Sequence, residues 1–505
     1  MTQTQTQFQF PPRSSRGSVL GFTWGQIGLC VAGVISAVIG INLIAAGLPW
    51  LGGGMFALAA VLVALGLLRL HGRRVTEWLP IFVGALLQRG ARQDRYRGAV
   101  FASNSVAEHM DLPGPAAGYR WLTGVASDGM TEIGMLHHRV EKTVTAALRC
   151  SGANFILADT TIQEQRLVDW ANVLNILGAE YAEHGLVRWS LTARAVPDTG
   201  NRAQRYLINQ AVDTTTPAFR SLAELTAAAA PTAQRHEIYL AVVFDIARMS
   251  GEISDAGGTD AAIATVVMER LVGIEQTVAE AGVGTHGWLT PRGYAAVLRT
   301  QFDPDDQASI DLRGASDGVA PGVAPQMAGP TAAETVGWNL YRHDSGVSQT
   351  LWAYEMPRLP VSRTWLTPLF TRTVSRRAVT LVAEPVPEAL AQLASRRAKV
   401  VSAGDEATKR KLRLVRTARE VKEAAAVEQI DREQAAGHVR YRYALFVTVT
   451  AATEDQLRAD VRAVKRIMSR AGLAAVVLSG EQDQAFAAGA LPLARGLRPI
   501  RGWLA

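Results

Sequence analysis

Residue types that could do chemistry occur at several points in the chain. Three stretches, at Lys142, His236 and Gly293, resemble known catalytic or binding motifs but lack residues that those motifs need. Lys142-Thr143 resembles the end of a phosphate-binding loop, but Glu141 stands where that loop requires glycine, and its carboxylate would repel phosphate. No lysine in the chain follows a glycine. The stretch "HEIYL" at His236 lacks the second histidine of a zinc-binding helix, and "GYAAVLR" at Gly293 lacks the serine of a nucleophile elbow. These stretches predict neither an ATPase site nor a hydrolase site.

Two further groups contain histidine. His137-His138 lies in a strand-like stretch, so the two rings should point to opposite faces of a sheet and cannot chelate one ion. His343-Asp344-Ser345 contains the residue types of a catalytic triad, but a triad is a spatial arrangement that adjacency in a turn does not produce. The sequence therefore predicts no catalytic, cofactor-binding or metal-binding residue and a body that is not an enzyme.

The positive charge of the chain is concentrated near one end. The 505 residues carry a net charge of +7, and the arginines on either side of the apolar amino-terminal region account for all of it. They are Arg13, Arg16, Arg69, Arg73, Arg74, Arg89, Arg92, Arg95 and Arg97, opposed there only by Glu77 and Asp94. Because the remainder is neutral, a basic groove for direct nucleic-acid binding is disfavoured. Cys30 and Cys150 do not suggest a disulfide framework, so the body is expected in the cytosol.

The amino-terminal region is apolar enough to enter a membrane. No charged residue occurs from Gly17 to Leu68. This uncharged run is far longer than the ~20 apolar residues that one membrane crossing needs. The glycines and proline of "GLPWLGGG" break this run, so we predict one helix over 22–45 and a second over 50–68. A signal peptide would have a shorter apolar region. Positive charge flanks the hairpin and is missing from its loop, which predicts a multi-pass inner-membrane protein with both termini cytoplasmic.

A short apolar stretch follows the hairpin within the basic region. Trp78 to Leu87 is half the length of a crossing, and Pro80 favours a new helix starting there. Two interpretations fit: a segment lying at the lipid interface, held by its arginines, or a core helix of the body.

The rest of the chain has the pattern of a mixed α and β body. We predict a β-hairpin around 130–152, a helix over 161–182 and a strand over 186–196. Residues 236–300 and 440–490 share one layout, which fits either a distant duplication or a common βαβα arrangement. The tract 314–331, with its "GVAP" repeat, favours a flexible linker. A helix over 407–436, basic and then acidic, fits a solvated helix or a partner-docking arm.

The predicted fold class is therefore membrane-anchored α+β, a transmembrane helical hairpin followed by a two-lobed mixed α/β cytosolic body. Its expected divisions are a cytosolic tail (1–20), the hairpin (21–70), a basic juxtamembrane segment (71–98), a first lobe (99–305), a flexible linker (306–332) and a second lobe (333–505).

Three stretches together resemble a known family. They are "TEWLPIFVGALLQRGARQDRYRG", "CSGANFILADTTIQEQRLVDWANVLNILG" and "LSGEQDQAFAAGALPLARGL". With the hairpin, they are similar to actinobacterial membrane proteins encoded with conjugative and type IV secretion-like elements, whose body resembles the amino-terminal, non-motor region of conjugation ATPases. Those ATPases continue into a motor domain, whereas this sequence stops at Ala505.

The resemblance implies a non-enzymatic scaffold for a separate secretion or conjugation ATPase. Its expected partners are the lipid bilayer, that ATPase and sister membrane subunits within a large oligomeric complex, and no cofactor is expected. Two alternatives remain: a type VII secretion membrane component, which shares the hairpin-plus-body layout, and a membrane-tethered enzyme with an unrecognised site.

Overall fold

A computed structural model describes most of the chain. The described residues are 10, 24–70, 73–98, 110–126, 129–152, 155–198, 201–229, 233–313, 319–371, 375–411 and 418–497. Apart from Phe10, the predicted cytosolic tail therefore lies outside the described residues. The amino-terminal elements are α1 (Trp24–Ala45), α2 (Pro49–Leu67), β1 (Arg69–Leu70), β2 (Arg73–Arg74) and α3 (Val75–Gly90). The two apolar helices lie close to the predicted bounds.

The first half of the body alternates strands and helices. Its elements are β3 (Arg95–Arg97), β4 (Tyr119–Val125), β5 (Glu132–His138), β6 (Thr143–Ser151), α4 (Thr160–Glu183), β7 (Leu186–Pro197), α5 (Asn201–Gln210), α6 (Pro217–Ala229), β8 (Gln234–Asp245), α7 (Ser250–Asp255), α8 (Asp260–Glu280), β9 (Gly284–Trp288), α9 (Pro291–Phe302) and α10 (Asp306–Arg313). The predicted hairpin is confirmed as β5–β6, the predicted helix as α4 and the predicted strand as β7.

The second half repeats this alternation. Its elements are β10 (Ala332–Val336), β11 (Leu340–His343), β12 (Gly346–Glu355), α11 (Thr367–Thr371), β13 (Arg376–Pro385), α12 (Glu388–Lys411), α13 (Ala418–Ala435), β14 (Tyr441–Ala451), α14 (Glu454–Arg470), β15 (Ala474–Val477) and α15 (Gln482–Gly489).

One antiparallel sheet runs through both halves. Among the described residues it has 13 strands in the order β3-β10-β11-β12-β14-β13-β7-β8-β6-β5-β4, with β15 beside β12 and β9 beside β6. The halves meet where β7 pairs with β13, and Thr192 lies opposite Thr380. The Thr380 hydroxyl donates to that of Thr192 at 3.1 Å. The body is thus a large antiparallel sheet with packed helices, a mixed α/β body.

The two halves are built on the same plan. Each has a three-stranded meander, a long strand, a helical hairpin, a second long strand, a helix, a short strand and a helix. The hydroxyl groups of Thr259 and Thr453 each accept from the N–H three residues further along, at the start of the long helix. Gly282 and Gly472, at φ +74° and +78°, end that helix. The similar layout predicted for 236–300 and 440–490 is present, and it extends to the meanders before it.

The helix predicted over 407–436 is wrong in form. Two helices, α12 and α13, occupy this part of the chain, and residues 412–417 between them lie outside the described residues. They are joined by a Lys399–Asp431 ion pair of 2.6 Å and a hydrogen bond of 2.7 Å from Ser395 to Gln434. The described ion pair therefore runs between helices instead of along one. No proline or glycine marks the break, so a turn could not be predicted there.

The predicted flexible linker is packed where it is described. Residues 306–313 form α10, and 314–318 lie outside the described residues. Beyond them Val323 and Ala328 are buried, and the Trp121 indole N–H donates to the Pro325 carbonyl at 2.9 Å. Arg292 donates to the Pro321 carbonyl at 3.0 Å. Two buried apolar residues of its own and hydrogen bonds from neighbouring side chains to its carbonyl groups hold this glycine- and proline-rich tract on the body.

Candidate functional site

The two amino-terminal helices are long and apolar enough to cross a membrane. Helix α1 has 22 residues and α2 has 19, so at ~1.5 Å per residue each approaches the ~30 Å of a hydrocarbon core. Only 17% of the most apolar window of each helix is buried inside the structure. Their isoleucine, valine and leucine side chains point outward, which is typical of a surface facing lipid and unlike the core helix of a soluble protein.

Small residues form the contact between the two helices. A Cβ added to Gly33 would lie 2.8 Å from the Val63 side chain, and one added to Gly52 would lie 2.8 Å from the Gly40 carbonyl oxygen. Gly52, Ala59 and Gly66 recur every seventh residue along the buried side of α2. This pattern lets the backbones approach closely, as in helix pairs that associate within lipid.

Two polar side chains of α1 are satisfied within the hairpin. The Gln26 amide donates to the Gly66 carbonyl at 2.7 Å, and the Ser36 hydroxyl donates to the Met55 carbonyl at 3.0 Å. Both side chains are buried. Neither presents an unpaired polar group to the outward apolar surface, which agrees with the requirement for satisfied polar groups in hydrocarbon.

Helix α3 joins this hairpin to the body. The Phe82 ring stacks on Trp338 with centroids 5.5 Å apart, and the Arg89 guanidinium lies 4.8 Å from the same indole. Arg89 also donates to the Gly337 carbonyl. The Gly480 N–H donates to the Trp338 carbonyl at 2.7 Å, which joins the backbone of this tryptophan to the segment before α15. One face of α3 is therefore packed on the body.

The other face of α3 is apolar and exposed. Val83, Leu86 and Leu87 are 46%, 49% and 68% exposed and lie three to four residues apart, on one side of the helix. The helix begins at Val75 and continues through Pro80, so the predicted start at the proline is wrong. The packed face agrees with the interpretation as a helix of the body, and the interfacial interpretation stays a prediction.

The paired histidines point to opposite sides of the sheet. The His137 ring accepts from Arg120 at 3.0 Å, whereas the His138 ring lies 4.8 Å from that of Tyr119 and accepts from the Glu141 N–H at 3.1 Å. Burial lowers the pKa of both imidazoles. Among the described residues no group of three potential ligand side chains could hold a metal ion.

The residues 343–345 do not form a triad. His343 is fully buried, and its Nδ1 lies 2.6 Å from the Phe302 carbonyl and its Nε2 2.7 Å from the Ser348 hydroxyl. Asp344 pairs with Arg299 at 3.0 Å, and Ser345 donates to Asp303. Burial lowers the pKa of His343 to about 4. The three side chains thus have separate structural partners.

The other motif-like stretches also have structural positions. Lys142 ends the turn between β5 and β6 with φ +53°, His236 lies on β8 opposite Ala195, and the Gly293 N–H is capped by Thr290 at 3.0 Å. The backbone of Lys142 accepts a hydrogen bond from the Ile246 N–H at 3.0 Å.

The stretch "LPLARGL", 491–497, lies at the centre of the body. The Tyr294 hydroxyl donates to the Pro492 carbonyl at 2.6 Å, and Arg495 donates to the Tyr119 hydroxyl at 3.0 Å and to Glu141 at 2.6 Å. Leu491 and Leu493 are buried. This stretch fastens the end of the second half to the first, which gives it a structural reason for its composition.

Sequence reasoning missed a charged cluster on the face of β7 and β8. Arg194 and Glu237 are opposite each other in the sheet and are both buried. The alternation that predicted β7 did not indicate that Arg194 is buried. The signal that could have been used is that helical segments follow on both sides of these strands, so both sheet faces are covered.

No protein-family model matches this chain, and no curated protein sequence matches it.

Proposed function

We propose that this chain is a non-enzymatic structural subunit of a conjugative or type IV secretion-like translocation machine, held in the inner membrane by α1 and α2. In this proposal both termini lie in the cytoplasm, and the body holds a separate ATPase and sister subunits at the membrane. The type of machine rests on the family resemblance, and the anchoring rests on the geometry of the hairpin and α3. The single observation that carries the anchoring is the outward apolar surface of two helices of membrane-crossing length.

The contact of the amino-terminal tail supports the orientation. The Phe10 ring lies 5.5 Å from that of Trp365, which belongs to the second half of the body. Phe10 precedes the hairpin and Trp365 follows it, so two crossings bring both to the same side. The flanking arginines favour the cytoplasm for that side.

The exposed face of α3 supports an interfacial role. Leu86 and Leu87 lie on the side away from the body, and the exposed Arg92 and Arg95 follow within the next eight residues. An apolar stripe with neighbouring cations is typical of helices that lie in the headgroup region. Because the opposite face is packed on Trp338, this helix would set the body's distance and tilt relative to the bilayer.

Purification from the native host tests the proposed role. The tagged full chain, extracted in detergent, should bring a secretion-type ATPase with it, and the identity of that ATPase separates a type IV-like system from a type VII system. Recovery of the chain alone from native membranes would contradict the scaffold. A reporter fused after Ala505 should be active only in the cytoplasm.

A pair of substitutions tests the interfacial face. Leu86→Ser with Leu87→Ser should reduce recovery of the ATPase while the body stays folded, since neither side chain is buried. Val140→Ser is the matched control, because Val140 is 83% exposed on a turn of the body. Phe82 is a poorer choice, since its loss would also remove the stack on Trp338. Equal recovery with the double variant and the control would refute the interfacial role.

A further inference from the structure

A polar cavity of about 560 Å³ lies between the sheet and the helices of the first half. Strands β6, β7 and β8 supply its floor, and α5, α9, α10 and the tract at Pro321 supply its walls. Its volume falls within the ~300–1,000 Å³ of small-molecule sites. The charged residues that line it are Arg149, Arg194, Arg235, Glu237 and Asp311.

These charged groups, apart from Arg149, form one connected network. Glu237 lies 3.5 Å from Arg194 and 2.8 Å from Arg235, and the Tyr239 hydroxyl donates to it at 3.1 Å. Arg235 also pairs with Asp311 at 2.9 Å. Burial raises the pKa of Glu237, but the two guanidinium groups and the hydroxyl outweigh burial and hold that pKa below its usual value. The carboxylate is therefore ionised inside the body.

The cavity has more positive than negative charge. Arg149 lines it opposite Tyr239 and forms no ion pair among the described residues. Arg376 lies behind it, donating to the Thr300 carbonyl at 2.6 Å and to Gln307, which lines the cavity, at 3.3 Å. Burial and the neighbouring Arg194 lower the pKa of Arg376 to about 9. A buried cation without a carboxylate is costly, and a bound anion would offset that cost.

The second half of the body provides an internal comparison. In the first half Leu148 pairs with both Leu240 and Trp288, and in the second Leu351 pairs with both Val447 and Val477. Counting from these pairs, Arg149 corresponds to Trp352, Tyr239 to Phe446 and Glu237 to Ala444. The Thr192–Thr380 pair at the junction makes Arg194 correspond to Val382.

The corresponding face of the second half is an apolar core. Val382, Ala444 and Phe446 are buried there in one hydrophobic cluster with Leu478 and residues of α15, and Trp352 packs against it. The same fold is thus completed without charge at four positions where the first half has arginine, glutamate and tyrosine. The architecture can therefore be completed with apolar residues at these positions, and a ligand is a reason for the charged residues of the first half.

We propose that this cavity binds a small organic anion that also carries hydroxyl groups. Arg149 is the free cation that would receive the phosphate or carboxylate of the ligand, because a planar guanidinium matches either group. Glu237 and Asp311 would accept hydrogen bonds from its hydroxyl groups, and Tyr206, Asn209 and Gln307 supply further polar contacts. This site is independent of the proposed scaffold role.

Titration calorimetry on the full chain in detergent tests the proposal. Ribose 5-phosphate and gluconate each combine one anionic group with hydroxyl groups, and they separate a phosphate from a carboxylate ligand. We expect saturable binding of at least one, and none of neutral ribose. Failure of both probes to bind at millimolar concentration would overturn the proposal, as would equal binding of ribose.

Variants identify the cavity as the place of binding. Arg149→Gln should weaken binding of the active probe at least tenfold, and it should leave the fold intact because this side chain is exposed. Arg139→Gln removes an exposed arginine from the nearby turn after β5 and is the matched control. Arg149→Trp copies the second half and should abolish binding. Unchanged affinity in both Arg149 variants would refute the assignment, whatever the ATPase experiment gives.

Discussion

The ion pair between Arg194 and Glu237 predicts an unusual order of stability among three variants. Its side chains are only 1% and 9% exposed, so any charge left without a partner there is out of contact with water. Glu237→Ala leaves Arg194 buried and unpaired. Arg194→Val leaves Glu237 with Arg235 at 2.8 Å, and Arg194→Val with Glu237→Ala leaves Arg235 with Asp311. The double variant therefore has no unpaired charge at either position of the pair. It also places at these positions the residue types that the second half has, Val382 and Ala444.

The magnitudes follow from what each variant leaves behind. Removing one partner of a buried ion pair costs roughly 3–5 kcal/mol, whereas replacing both by apolar residues is often neutral or stabilising. Glu237→Ala should therefore be the least stable and Arg194→Val intermediate. The double variant should lie within about 2 kcal/mol of the parent chain, so the costs of the two single variants should together exceed the cost of the double variant by about 3 kcal/mol or more. Thr300, which accepts from Arg194 at 2.9 Å, keeps its bond to the Ala296 carbonyl at 2.8 Å.

Thermal unfolding of the full chain in detergent, followed by tryptophan fluorescence, would rank the variants. The parent chain and double variant should unfold at similar temperatures, and Glu237→Ala several degrees lower. If the double variant is the least stable of the three, the network serves the fold and not a ligand. That result would remove the basis for treating the charged face as dispensable.

Three further predictions concern other parts of the chain. His343 is held neutral with a pKa of about 4 against 6.5 when unfolded, so acidification between those values should lower the free energy of unfolding by about 3 kcal/mol, and His343→Asn should flatten that pH dependence. Gly52→Ala should destabilise the hairpin in a thermal-shift assay because its Cβ would meet the Gly40 carbonyl at 2.8 Å, whereas Gly53→Ala, in open space, should not. Burial raises the pKa of Cys150 to about 11, so iodoacetamide should modify it at pH 8 only after unfolding; rapid labelling of the folded chain would contradict its position.

Local patterns in the sequence were enough for the regular elements. The absence of charge from 17 to 68 and the break at Pro49 predicted the two apolar helices, and alternation predicted β7. The layout shared by 236–300 and 440–490 was visible because each copy has a strand, a capped helix and a glycine stop. These signals depend on neighbours along the chain, which a single sequence contains.

Signals that depend on distant partners could not be read. The break between α12 and α13 has no turn residue, and the hairpin is recognised from the Lys399–Asp431 and Ser395–Gln434 pairs. The tract around Val323 looked flexible because its anchor, Arg292, lies 31 positions earlier in the printed sequence. The continuous sheet across both predicted lobes depends on the pairing of β7 with β13, which no local pattern specifies.

The two halves explain why the charged cavity could not be predicted from local composition alone. The strands near the junction of the two halves alternate their side chains between two faces of the sheet, and helices cover both faces. Without the comparison between halves, the polar residues of β7 and β8 would therefore be assigned to a solvent-facing side. Only alignment through the Thr192–Thr380 pair shows that Arg194 occupies the place of Val382, which is completely buried. One half of the body fills this face with apolar side chains, and the other fills it with a charged network that leaves Arg149 free. The comparison separates the residues that the architecture needs from those that a ligand would need.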